Sequence, residues 1–131
     1  MSELGRRKEQ RQREVMKRRT MNFGLRIIRT TESLARDQTA RVIGNQLLRV
    51  GTSVGANYRA ALTARSRADF IAKLGIVEEE ADESIYWMQM LGESGAISAD
   101  RLRDLLQEAI ASIKTARSRS LSPKSANRNP K

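Results

Sequence analysis

Residues 20–113 contain no proline; the two in the chain, Pro123 and Pro130, stand near its C-terminus. A stretch of that length without proline, rich in Ala, Leu, Ile, Arg and Glu and free of aromatic runs, favours helix throughout. The expectation is an all-α protein. At 131 residues the chain supports one domain with a real core and hardly two.

Apolar spacing divides it into elements. Residues 1–19 favour helix but lack an apolar stripe, so they read as a basic arm, frayed or extended and marginal alone. A first core helix spans about 20–35, with Phe23, Ile27 and Leu34 on one face and Leu25 and Ile28 beside it. Asp37 can cap a second, about 38–64. Ser66 and Asp69 resemble a capping box for a third, reaching about Glu93, where Gly92 and Gly95 bracket the end. Ser98 can cap a fourth, with Leu102, Leu106, Ala109 and Ile113 as its stripe. From about Ser118 the composition is that of disorder. The domain map is therefore arm 1–19, four-helix bundle 20–117 and basic tail 118–131. Short connections imply an antiparallel up-down bundle.

The second helix carries an anomaly. Within "NQLLRVGTSVGANYRAAL" (45–62) two glycines lie one turn apart, and each costs about 1 kcal/mol relative to alanine. At about 100° per residue, Ile43, Leu47, Val50, Val54 and Ala61 form the core stripe. Gly44, Gly51 and Gly55 form a second stripe beside Leu48 and Leu62. "GTSVG" fits no phosphate-cradling loop, so the glycines point to close approach by another helix, in the domain or between copies. A kink is the alternative.

The third helix is also apolar on two sides. Phe70, Leu74, Val77, Ala81, Ile85 and Met88 make a core stripe. Ala72, Ile76, Trp87 and Met90 lie off it, with Glu80 and Glu83 between them and Tyr86 at the flank. A helix apolar on two faces in a domain this small suggests an interface. The expected oligomer contact is Ile76, Glu80, Glu83, Trp87 and Met90 against Arg49, Gly51, Gly55 and Arg59 of the second helix.

There is no cysteine and no histidine, which excludes disulfides, thiol nucleophiles, Cys/His zinc sites and imidazole acid–base chemistry. Glu78, Glu79, Glu80, Asp82 and Glu83 read as salt-bridging or solvated carboxylates rather than metal ligands, because di-iron bundles pair glutamate with histidine. Ser53 and Ser84 have no recognisable base beside them. The expectation is no enzyme, no cofactor and no metal. The N-terminus lacks a secretory apolar core, and no run approaches the roughly 20 apolar residues that span a bilayer. A cytoplasmic protein without a membrane partner is expected.

The net charge of +10 is unevenly placed: +5 in residues 1–19, −1 in 20–113 and +6 in 114–131. Inside the middle, 20–67 carries +6 and 68–113 carries −7, which suits matching helices or matching subunits. Basic termini bind anionic polymers by releasing counterions. Candidate phosphate contacts are Arg6, Arg7, Lys8, Arg11, Arg13, Lys17, Arg18 and Arg19 in the arm, Lys114, Arg117 and Arg119 near the other end, and Arg26, Arg29 and Arg36 between. No interleaved aromatics support base stacking.

"NQLLRVGTSVGANYRAA" followed by "SRADFIAKLGIVEEEADESIYWMQML" resembles the four-helix-bundle proteins encoded in intervening sequences of bacterial large-subunit ribosomal RNA genes. Gln46, Leu47, Arg49, Ser53 and Asn57 match one family helix; Phe70, Gly75 and Glu80 are similar to another. The similarity covers about residues 22–115. It implies a bundle that assembles into rings, typically pentamers, and kinship with accessory proteins of diversity-generating retroelements, which bind nucleic acid and associate with a reverse transcriptase. The expected function is a non-enzymatic homo-oligomer that binds nucleic acid, RNA preferred. A protein scaffold for a reverse transcriptase is the alternative.

Overall fold

The computed structural model describes residues 2–121. It has four helices, α1 (Glu3–Glu32), α2 (Gln38–Leu62), α3 (Arg67–Glu93) and α4 (Ala99–Leu121), and no strand among the described residues. Residues 122–131, most of the tail expected to be disordered, lie outside the described residues.

Local chemistry sets the helix ends. Ser2, Asp37 and Ser66 accept from the backbone N–H three residues on, at 2.9, 2.8 and 3.0 Å, each satisfying a donor the helix itself cannot. The Asp69 carboxylate reaches back to the Arg65 N–H at 3.3 Å, one residue beyond the usual capping-box partner. α3 closes at Gly95, whose φ is +85°. Gly95 N–H donates to the Gly92 carbonyl and Ala96 N–H to the Leu91 carbonyl, at 3.1 and 3.0 Å. That is the paired closure glycine favours at a helix end.

α1 departs most from its apolar pattern. The helix runs unbroken across residue 19, where arm and bundle were expected to divide. The pattern from Arg6 to Glu14 is polar, yet Met16 and Thr20 are buried, at 5% and 1% exposure. Core contact therefore begins near Met16, and the turns before it extend the helix with ion pairs of Arg6 and Arg7 to Glu3 and of Lys17 to Glu14. Each such pair adds only a few tenths of a kcal/mol. α4 likewise continues past residue 117 to Leu121.

α1 packs on α2, α2 on α3, α3 on α4, and α4 returns to α1. Ile27 and Thr20 of α1 lie over Gly51 and Gly55 of α2, and Leu34, just past the end of α1, lies over Gly44. Arg49 and Asn57 of α2 meet Glu83 and Glu80 of α3. Gln12 and Arg19 of α1 meet Arg119 and Glu108 of α4. In each pair of helices the numbers rise on one and fall on the other.

The enclosed core holds Phe23, Ile27, Leu47, Val54, Leu74, Val77, Ala81, Met88, Leu91, Leu102, Leu105 and Ala109. Ile43, Phe70, Ile85 and Leu106 pack at its rim; Leu105 takes the buried place expected of Leu106. The buried hydroxyls of Thr20, Ser84 and Ser112 donate to carbonyls four residues back, at 3.0, 2.8 and 3.1 Å, so each of these is satisfied.

Candidate nucleic-acid interface

Where the first half of α1 meets the last turns of α4, the surface opens into a groove of about 700 Å³. Lys8, Arg11, Gln12, Val15, Met16 and Arg19 form one wall; Lys114, Thr115, Ser118 and Arg119 form the other. The α1 residues recur at three- and four-residue spacing, which aligns them on one helix face. Five cations and no carboxylate line the groove, although the two walls are about a hundred residues apart in sequence. Dispersed in the chain, they converge in space.

These cations differ in how far they are already neutralised. Arg19 donates twice to the Glu108 carboxylate, at 2.8 and 3.1 Å, and this hydrogen bonding raises its pKa further above its ordinary value. Arg119 donates to the neutral Gln12 amide at 3.2 Å. Lys8, Arg11 and Lys114 are exposed. On α2, Tyr58 is buried, and that burial raises its phenol pKa against the opposing pull of Arg119 and Arg13.

The remaining expected phosphate contacts are scattered. Arg117 pairs with Glu78 of α3. Arg13 lies 4.0 Å from Glu9 and borders a separate opening, where the Arg67 guanidinium stacks 4.9 Å above Phe70. Lys17 turns toward α2 and shares a small apolar groove with Arg59. Arg18, Arg29 and Arg36 are exposed and Arg26 half-buried, all outside the α1–α4 groove. Sequence spacing could have picked out the α1 face of the groove. It carried no signal for Gln12 as the partner of Arg119, or for Glu108 and Glu78 as acids that occupy Arg19 and Arg117.

The residues expected at an interface between copies fall into two groups. Gly51 and Gly55 are covered within the chain: a side-chain carbon on Gly51 would stand 2.8 Å from Ile27, and one on Gly55 3.2 Å from the Thr20 backbone. The pairing of Arg49 with Glu83 is also made within the chain, at 3.1 Å. Glu83 accepts from the Trp87 indole N–H at 3.3 Å as well, and Glu80 accepts from the Asn57 amide. Trp87 is half-buried against the core. Burial raises the Glu80 carboxyl pKa, and the Asn57 hydrogen bond and Arg49 oppose it. Ile76 and Met90, each 41% exposed, stay open with Tyr86 at 52%. Arg59 is exposed too.

Among the described residues, no group of three or more acidic, histidine or cysteine side chains could hold a metal ion. No described helix is long and apolar enough to cross a membrane.

The pattern of the 23S rRNA-intervening sequence protein family matches residues 12–117. The chain belongs to that family. A crystal structure from Bacteroides thetaiotaomicron, described as a protein with unknown function from the S23 ribosomal protein family, is 35% identical to it with a TM-score of 0.76. The likeness covers 81% of this chain and 98% of that one. No curated protein gives a significant match. The family region takes in all of α2 and α3 and most of α1 and α4. Lys8, Arg11 and Arg119 of the groove stand outside it; Gln12, Arg19 and Lys114 stand inside.

Proposed function

We propose that this member of the 23S rRNA-intervening sequence protein family is a non-enzymatic, cytoplasmic homo-oligomer that binds nucleic acid, RNA first, through the backbone phosphates. The observation that carries the reading is the α1–α4 groove, with its five cations and no carboxylate. Cations that are exposed and not already held by a carboxylate gain most from a phosphate, because binding releases the polymer's counterions without breaking an internal pair. Such contacts position a protein on its target and read no sequence. The family's description, which refers to 23S rRNA, favours RNA over DNA.

The helices follow an antiparallel up-down course in this reading, supported by partner numbers that fall on one helix as they rise on the next. Self-association into a ring is supported by two surfaces of one molecule. On α3, Ile71 and Ile76 are exposed, and Gly75 between them has nothing within 4 Å of where a side chain would stand. Between α1 and α2, Met21, Leu25, Ile28 and Ala56 line an apolar groove of about 250 Å³ edged by Lys17 and Arg59. The acidic half of the sequence carries the first surface and the basic half the second. A ring repeats each groove around its circumference, and repeated weak sites bind a long polymer far more tightly than one does.

Filter binding of RNA across a salt series tests the function: affinity falls steeply as salt rises, and an affinity indifferent to salt rejects it. Light scattering after size exclusion tests the assembly. A monomer at micromolar concentration rejects the ring and leaves the α3 strip to a different protein.

A further inference from the structure

The geometry points to a duplex, rather than a single strand, as the polyanion that the α1–α4 groove holds; we propose this on top of the nucleic-acid reading above. Proteins that take single strands stack bases on exposed aromatic rings, at about 1–3 kcal/mol per base. This groove has none: its apolar lining is Val15 and Met16, and Tyr58 is buried. Elsewhere Phe23 is buried, Phe70 lies under Arg67, and Trp87 and Tyr86 sit on α3, which does not border the groove. With stacking removed, charge density decides. A duplex carries one charge per roughly 1.7 Å of axis, about twice that of one of its strands.

The groove's cations also stand in line. Lys8, Arg11 and Arg19 share one face of a continuous helix, about 16 Å from first to last at 1.5 Å per residue. Lys114 and Arg119 face them from α4. A double row of charges along two helices matches a stiff, already extended polyanion, whereas a flexible strand must first be straightened. Lys8, Arg11 and Arg119 lie outside residues 12–117, so the lengthened ends of α1 and α4 supply much of the grip.

The test uses the full chain in fluorescence anisotropy with a duplex RNA long enough to span the groove, the same duplex as DNA, and each RNA strand alone. The duplexes bind on the order of tenfold more tightly than the strands at equal salt. Lys8→Ala and Lys114→Ala each lower the slope of log affinity against log salt by about 0.9 on duplex. Arg103→Ala, on α4 outside the groove, leaves it unchanged. All three positions are exposed, and circular dichroism verifies the helix content. A strand bound as tightly as its duplex, or a duplex slope untouched by both lysine changes, overturns this inference while the nucleic-acid function stands. No binding of either form overturns both.

Discussion

Gly51 and Gly75 are both interior helix glycines, yet the structure gives them opposite roles. Ile27 of α1 occupies the space a Gly51 side chain would need, whereas nothing lies within 4 Å of that position at Gly75. Gly51→Ala therefore forces Ile27 or the α1 backbone to shift and destabilises by about 1–3 kcal/mol, as overpacked cores do. Gly75→Ala, measured dilute enough to keep the chain monomeric, stabilises by about 0.5–1 kcal/mol through helix propensity alone. In the assembled form the same methyl group weakens association if α3 of one copy packs against another there. Urea unfolding of the two variants, with Gly75→Ala followed at two protein concentrations, checks both expectations. Gly44 is a milder case, since the atom in its way is the end of the flexible Leu34 side chain.

At the scale of the element, α1 is one helix with two grades of stability. Its buried residues are Met16, Thr20, Phe23, Gly24 and Ile27; before Met16 it has only exposed or half-buried side chains, Leu4 at 73% exposure among them. The amides of residues 3–12 should exchange with solvent far faster than those of 16–28, and duplex bound in the groove should slow them. Exchange unchanged by ligand would place the contact elsewhere. Met16→Ala removes a core side chain and costs about 2 kcal/mol or more, read in thermal or urea unfolding. Cutting the chain to residues 20–113 would take out Met16 and Ala116 together and weaken the bundle itself, so it is a poor way to isolate the basic ends. The α2–α3 seam supplies a pH dependence. Burial raises the folded-state pKa of Glu80, so its contribution is fully present below the ordinary carboxylate value and is lost as pH rises through the raised one. Asp69 has the opposite sign: the Lys73 hydrogen bond lowers its pKa, and that small stabilisation is lost as pH falls. Glu80→Gln still offers Asn57 an acceptor, and should gain stability relative to the parent between pH 4 and pH 7, about one carboxyl titration's worth of slope. Unfolding midpoints at the two pH values decide it.

Across the whole molecule, the charge of +10 is partly spent in internal pairs before any partner arrives. Arg19 and Arg117 are tied to Glu108 and Glu78 of the acidic half, while Lys8, Arg11 and Lys114 remain exposed. Any attraction between the acidic half of one copy and the basic half of another would be screened once the Debye length falls from about 10 Å at 0.1 M salt to about 3 Å at 1 M. The expected result is a smaller scattering mass in high salt. A mass that does not change would assign the assembly to the apolar surfaces alone.

The helices, their caps and the core stripe of α2 were legible in the sequence because each depends on neighbours within a turn or two. Asp37, Ser66 and Gly95 act on residues three to five away, and Leu47, Val50 and Val54 face inward by helical spacing alone. The glycine stripe likewise announced a covered face. Its cover could not be read, because Ile27 and Thr20 reach Gly51 and Gly55 only through the packing of α1 on α2. Local pattern also carries no trace of what meets residues 1–19: Glu108 and Arg119, the partners of Arg19 and Gln12, lie about a hundred residues away. Local periodicity fixes which side of a helix must be buried; only the packing of distant segments decides what buries it, which cations it neutralises and which it gathers into a groove.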